Sequence, residues 1–138
     1  MKTFYSASAT VMSGHERRIV ADEPRLDLEL STPKPLGGAG GEGTNPEQIF
    51  AAGYAACFSS AVTHVAQGQG IETGDFTMTG CASIGKLDSG GYGFAMALTG
   101  SFPDLERERA EALMRAAHEV CPYANATRGN VEVDLKVA

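Results

Sequence analysis

The sequence predicts an α+β fold: antiparallel sheets and a long buried central helix within a single domain over residues 1–138. Three observations carry this expectation. Segments near the N-terminus, in the middle and at the C-terminus alternate apolar and polar residues with the period of a half-buried strand. The run Ile49-Phe50-Ala51-Ala52-Gly53-Tyr54-Ala55-Ala56-Cys57-Phe58 is apolar on every side, as a helix is when buried in a core or between subunits. The order strand, strand, long helix, strand, strand, helix, strand puts strands next to one another in sequence, which favours hairpins.

The elements follow in order. Residues 3–12 are rich in Thr, Ser, Tyr and Val and predict a strand. Residues 14–24 are polar and predict a loop or irregular hairpin. Residues 25–31 place Leu26, Leu28 and Leu30 on one face of a second strand. Residues 33–45 form a glycine-rich loop. The helix after it has clear start signals: Asn45 as N-cap, Pro46 at the first helical position and Gln48 three residues after the cap. It is expected to run to about Gln67. Residues 74–86 and 91–100 predict two strands around Asp88-Ser89-Gly90-Gly91. A second helix follows Pro103-Asp104, with an apolar stripe of Leu113, Ala116, Ala117 and Val120, and ends at Cys121 because Pro122 follows. Val131, Val133 and Leu135 alternate in a closing strand.

Composition narrows the function classes. Of 138 residues, 43% are hydrophobic and 20% charged, which excludes a wholly disordered chain. Eleven basic residues against 17 acidic ones lack the excess of a generic nucleic-acid binder, so no nucleic-acid partner is expected. Met1-Lys2-Thr3-Phe4-Tyr5-Ser6 does not read as a signal peptide, and the Ile49–Phe58 run is far short of the ~20 apolar residues that span a bilayer. A cytoplasmic protein without a membrane partner is the expectation. Three widely spaced cysteines, Cys57, Cys81 and Cys121, suggest neither a disulfide scaffold nor a zinc site.

Several residues invite a chemical reading. Gly38-Ala39-Gly40-Gly41-Glu42-Gly43 satisfies the dinucleotide pattern G-x-G-x-x-G, but Pro33 and Pro35 interrupt the strand that should lead in, and Glu42 would face the phosphates. A loop beside a site fits better. Each cysteine is either a buried small hydrophobe or a reactive thiol, and Cys81, in a strand, reads as packing. Cys57 lies too deep in its helix to gain from the dipole, so only side-chain partners could make it a thiolate. Cys121 lies at a helix C-terminus, where the dipole opposes a negative charge, which suits a thiol that resolves rather than attacks. His64 is on the helix face of Cys57 but about 10 Å along it. His118, three residues before Cys121, is within reach of it. Asn125 and Arg128 fall in an expected loop, with turn or capping roles.

Two long motifs then carry a resemblance. Gly43-Thr44-Asn45-Pro46-Glu47-Gln48 with the apolar run through Cys57-Phe58, and His118-Glu119-Val120-Cys121-Pro122-Tyr123-Ala124-Asn125-Ala126-Thr127-Arg128-Gly129-Asn130, closely resemble the organic hydroperoxide resistance proteins of the OsmC-like superfamily. The likeness takes in Leu30-Ser31-Thr32-Pro33 and the glycine loop, hence nearly the whole chain. It implies an intertwined homodimer of OsmC-like fold and a thiol peroxidase acting on organic hydroperoxides, fatty-acyl or aryl ones in preference to hydrogen peroxide. It further implies Cys57 as the attacking thiolate that becomes a sulfenic acid, and Cys121 as the thiol that closes a disulfide with it. An external dithiol, typically a lipoyl group on a lipoylated protein, would reduce that disulfide. No metal, haem or other bound cofactor is implied.

One departure stands out. The family places an arginine after a Gly-Gly pair in the first loop, paired with the glutamate that is Glu47 here. This chain reads Ser13-Gly14-His15-Glu16-Arg17-Arg18, with His15 at the arginine's place. Arg18 is the expected substitute, with Arg17 or His15 as alternatives. A cation is needed because lowering a thiol pKa from about 8.5 to about 6 raises the thiolate roughly 30-fold but weakens the nucleophile about tenfold. The remaining gain must come from orienting the peroxide and stabilising the leaving alkoxide. A neutral histidine does this poorly, which leaves a second reading open: a weak or non-catalytic OsmC-like redox sensor, or a binding protein for oxidised lipids.

Overall fold

The first three strands, β1 (Ala9–Met12), β2 (Arg18–Ala21) and β3 (Asp27–Glu29), make one small antiparallel sheet in the order β1-β2-β3. Ala9 faces Ala21, and Ile19 faces Leu28. The computed structural model describes residues 1–13, 17–21 and 26–138, and forms two compact units, Met1–Pro46 and Glu47–Ala138. The strand expected over residues 3–12 is confined to its last four residues, and β1 is exposed throughout. Of the expected polar loop over 14–24, the described part contains β2, so the hairpin alternative holds there.

Beyond β3 the glycine-rich loop folds back on its own lead-in. A single 3-10 turn spans Lys34–Leu36. Ser31 N–H donates to Thr44 O and Thr44 N–H to Glu29 O, both at 2.8 Å, so the end of the loop runs beside the end of β3. Inside the loop, Gly38 N–H bonds Pro33 O, Gly40 N–H bonds Thr32 O and Gly43 N–H bonds Ser31 Oγ. A phosphate cradle needs such N–H groups free to point at the ligand. Here three of them are spent on the loop itself, which agrees with the reading against a dinucleotide site.

The second unit is built on α1 (Pro46–Gln69) and a sheet of β4 (Thr77–Lys86), β5 (Tyr92–Ser101) and β6 (Glu132–Val137), in the order β4-β5-β6. Along β4 and β5 the pleat turns Met78, Ala82, Met96 and Leu98 inward, and Val133 and Leu135 follow on β6. Tyr54, Phe58, Val62 and Ala66, at the helical spacing of four, bring one face of α1 onto this layer. Each fully buried side chain such as Leu98 or Phe58 contributes about 1.5–3 kcal/mol. At Gly80 any Cβ would collide with Ala51 O, so the glycine lets the α1 backbone lie directly on β4.

The helix is less enclosed than its composition predicts. Ala52, Ala56, Ser60, Thr63 and Gln67 form an exposed row opposite the buried one. By length and composition α1 is long and apolar enough to cross a bilayer, but its large side chains are committed to the core.

A second helix, α2 (Arg107–Val120), buries Ala110, Leu113, Met114 and Ala117. Val120, expected in that stripe, is 46% exposed, and the row continues instead from Ala117 to fully buried Cys121. The closing strand also differs from the all-antiparallel expectation. β4 and β5 pair antiparallel, with Cys81 opposite Ala97, but β6 lies parallel to β5, with Leu98 opposite Leu135. A parallel neighbour needs a long crossover, and the helices between β5 and β6 supply it.

Candidate active site

The segment after α2 holds the main difference in local structure. Pro122 forces Cys121 into an extended conformation (φ −66°, ψ 124°), which ends α2. The same proline then starts a short helix, α3 (Pro122–Thr127), with its fixed φ and its missing N–H both suited to the first helical position. The expected loop is therefore a helix; Pro122 was its signal. Asn125 N–H bonds Cys121 O at 2.9 Å. Arg128 donates from Nη2 to His118 O at 2.9 Å and from Nη1 to Asn125 Oδ1 at 2.6 Å. It thus closes the C-terminus of α2 onto α3, the capping role expected of it.

This break in the helices points Cys121 back at α1. Its Sγ lies 3.7 Å from Cys57 Sγ, and both cysteines are free thiols. Cys57 is partly exposed, whereas Cys121 is fully buried. A disulfide needs about 2.05 Å between sulfurs, so a small movement would join them. Burial pushes the Cys57 thiol up; the Tyr123 backbone N–H pulls it down, and the neighbouring Cys121 adds to the rise.

A wall of aromatic rings starts at Tyr123, whose N–H faces Cys57. Tyr123 meets Tyr54 edge-on with centroids 5.6 Å apart, Tyr54 meets Phe50 at 5.9 Å, and Phe50 stacks on Phe94 at 5.0 Å. Tyr123 fits there because Gly53 has no side chain: a Cβ would sit 3.3 Å from the Tyr123 hydroxyl. Beneath, Tyr54 Oη and Thr127 Oγ1 share a buried hydrogen bond of 3.0 Å. Tyr54 and Thr127 were not singled out from the sequence, since a tyrosine in an apolar run and a threonine near a turn carry no motif of their own.

The remaining expected residues are placed as follows. Glu47 is in the first turn of α1, ten residues before Cys57 or about 15 Å along an ideal helix. Its Oε2 is buried without a hydrogen-bond partner among the described residues. Arg18, in the first unit, donates from Nε and Nη2 to Asp27 Oδ1 at 2.9 and 2.7 Å. Arg17 Nη1 donates to Thr32 Oγ1 at 2.9 Å. His15 lies outside the described residues. His64 is exposed. His118 packs against the Phe58 ring with centroids 6.5 Å apart, and its Nδ1 is buried without a partner among the described residues. Cys81 corrects the packing expectation: it is exposed, because the pleat of β4 turns it outward with Thr77, Thr79 and Ser83. Among the described residues no cluster of three His, Cys, Asp or Glu side chains could hold a metal. A groove between α2 and β6, lined by Arg107, Met114, Arg115, Leu135 and Lys136, contains neither thiol.

Comparisons with known proteins agree with this picture. The family model of OsmC-like proteins matches residues 38–136. The chain is 46% identical over 138 residues to the organic hydroperoxide resistance protein of Xanthomonas axonopodis pv. citri, covering 99% of this chain and 96% of that one. It is 45% identical to the organic hydroperoxide resistance protein OhrB of Bacillus subtilis over 134 residues, 96% of this chain and 97% of the relative. In structure it is similar to the organic hydroperoxide resistance protein of Elizabethkingia anophelis, with a TM-score of 0.93 at 44% identity, covering 100% of this chain and 99% of the other. A match over most of the chain, with relatives at this identity over nearly full length, shows that the chain belongs to the OsmC-like family, among the organic hydroperoxide resistance proteins.

Proposed function

We propose that this protein is a thiol peroxidase that reduces organic hydroperoxides to alcohols. The observation that carries the reading is the 3.7 Å contact between a partly exposed thiol and a buried one. In the first step the Cys57 thiolate attacks the distal peroxide oxygen. The O–O bond breaks, the alkoxide leaves and takes a proton, and Cys57 becomes a sulfenic acid. In the second step Cys121 attacks the sulfenic sulfur, a disulfide forms and water leaves. An external dithiol, a lipoyl group in our reading, then reduces the disulfide and is itself oxidised to its cyclic disulfide. No bound cofactor takes part. The aromatic wall from Tyr123 to Phe94 supports an aryl or acyl hydroperoxide as substrate over hydrogen peroxide. Relatives from bacteria support a cytoplasmic setting.

The test is steady-state turnover of cumene and tert-butyl hydroperoxide with lipoamide and, separately, with a monothiol. Turnover with the dithiol supports the reading. Stoichiometric oxidation without turnover favours the redox sensor or oxidised-lipid-binding protein instead. One observation speaks for that second reading: burial raises the Cys57 pKa, which leaves little thiolate at neutral pH in the absence of a cation.

We assign the cation to Arg18, which has to leave its Asp27 pair to serve, with Arg17 and His15 as the alternatives, and assign Glu47 as its carboxylate partner. The unpartnered Oε2 of Glu47 supports a donor there, because a buried carboxylate oxygen without one costs about 1–3 kcal/mol or more. The pH profile separates the candidates. An arginine keeps its charge at every working pH, so activity rises from pH 6 to 8 as Cys57 ionises. A protonated His15 loses its charge over the same range, which offsets the growing thiolate, so activity levels off instead of rising. Arg18→Ala is expected to cost roughly tenfold in kcat/KM, ~1.4 kcal/mol, with a rising profile in the wild type. A silent Arg18→Ala beside a crippled His15→Ala would reverse the assignment.

We also propose a homodimer. The exposed row Ala52, Ala56, Ser60 on α1 is small enough for close helix approach and continues an apolar helix that one chain covers on a single face. Light scattering at micromolar concentration is expected to give twice the chain mass of 14.4 kDa. A monomer mass refutes it.

A further inference from the structure

We infer that Tyr54 and Thr127 are positioning residues, whose hydrogen bond holds α3 against α1 and so keeps the Cys121 thiol within reach of Cys57. The inference rests on the peroxidase reading of the two thiols and adds residues to it. The bond spans 73 residues of sequence and joins the middle of α1 to the last residue of α3, with Tyr54 fully buried and Thr127 9% exposed. Cys121 lies at the other end of the same short helix, and Cys57 lies one turn after Tyr54 on the same helix. One hydrogen bond therefore sets the relation between the two segments that carry the sulfurs.

The proton order in this bond follows from the donors available. Thr127 has one hydroxyl proton, and Tyr123 O lies 2.9 Å from its Oγ1. With that proton on Tyr123 O, Thr127 accepts from the Tyr54 phenol. Burial raises the Tyr54 pKa and keeps the phenol protonated, so it remains a donor. The chain of bonds runs from Tyr54 through Thr127 to the carbonyl of Tyr123, the residue whose own N–H faces the Cys57 sulfur. Gly53 gives the Tyr123 ring its seat on α1 from the other side.

The step that depends on this geometry is resolution: Cys57–SOH and Cys121–SH give the disulfide and water. A misplacement of about 1 Å can cost a hundredfold in such an intramolecular step. Meanwhile further peroxide adds a second oxygen to the waiting sulfenic acid, giving the sulfinic acid and another molecule of alcohol. The partition between disulfide and sulfinic acid thus reads the position of Cys121, and a purely structural role would leave it unchanged.

The experiment uses the full-length protein treated with graded cumene hydroperoxide and analysed by intact mass. In the wild type the Cys57–Cys121 disulfide is expected to dominate. Thr127→Val, which keeps the shape and loses the hydroxyl, is expected to slow disulfide formation roughly tenfold to a hundredfold and shift the product toward sulfinic acid. Thr127→Ser keeps the hydroxyl and is expected to restore the wild-type partition. Tyr54→Phe leaves Thr127 bonded to Tyr123 O and is expected to shift the partition in the same direction, which decides the matter should Thr127→Val fail to fold. If the wild type forms the disulfide and Tyr54→Phe or folded Thr127→Val partitions as it does, the positioning role is wrong. If the wild type itself forms no disulfide, the two-thiol peroxidase reading fails.

Discussion

Cys57→Ser is expected to remove the proposed organic hydroperoxide reduction, by at least roughly 10³-fold in initial rate, which is ~4 kcal/mol of transition-state stabilisation. A serine hydroxyl presents almost no oxyanion near neutral pH, and oxygen is a far poorer nucleophile toward peroxide oxygen than sulfur. None of the surroundings of Cys57 can compensate. The Tyr123 N–H and the nearby Cys121 can stabilise an anion or receive a sulfenic acid, but neither supplies an activated nucleophile in its place. The substitution is nearly isosteric at a partly exposed position, so the melting temperature should hardly move. Rates with cumene hydroperoxide and lipoamide, beside a thermal melt, check both halves. Normal turnover by the mutant would overturn the assignment of the site.

Cys121→Ser is expected to stop after about one equivalent of peroxide per site. The first oxidation needs only Cys57, but the second step loses a thiol held at 3.7 Å. Intramolecular groups placed this well reach effective molarities of about 10⁵ M or more. A millimolar external thiol cannot match that, so multiple turnover with the dithiol should fall by at least about a hundredfold. Cys57 then persists as sulfenic acid and drifts to sulfinic acid with excess peroxide, visible by intact mass and by loss of reactivity toward a sulfenic-acid trap. Turnover at the wild-type rate would show that Cys121 is only a packing residue, buried as a continuation of the Ala110, Leu113 and Ala117 row of α2.

Much of the frame was legible because its signals are local. Asn45-Pro46 marks the start of α1, which begins at Pro46. Period-2 alternation around Asp88-Ser89-Gly90-Gly91 marks the hairpin, found as β4 and β5 within three residues of expectation at each end. The same local rules failed where two of them compete at one residue. Pro122 was read only as the end of one helix, although a proline that stops α2 is equally suited to start α3. Alternation in residues 132–137 shows a strand but is silent on direction, which the crossover through α2 and α3 decides. Cys81 was misjudged because alternation says that neighbours face opposite ways and not which way is inward.

By itself, then, the sequence determined the order of the elements apart from β2 and α3, the apolar character of α1, the two cysteine-bearing motifs and, through them, the family. The family pairs those cysteines by likeness; their approach to 3.7 Å, across 64 residues, is a product of the tertiary structure. So is the Tyr54–Thr127 bond across 73 residues, and so is the difference in exposure, with Cys57 partly exposed and Cys121 buried. The physical reason is range: capping, turns and alternation act within a few residues of chain, whereas contacts between distant segments follow from how Gly80, Gly53 and the buried faces of α1 and α2 let those elements pack.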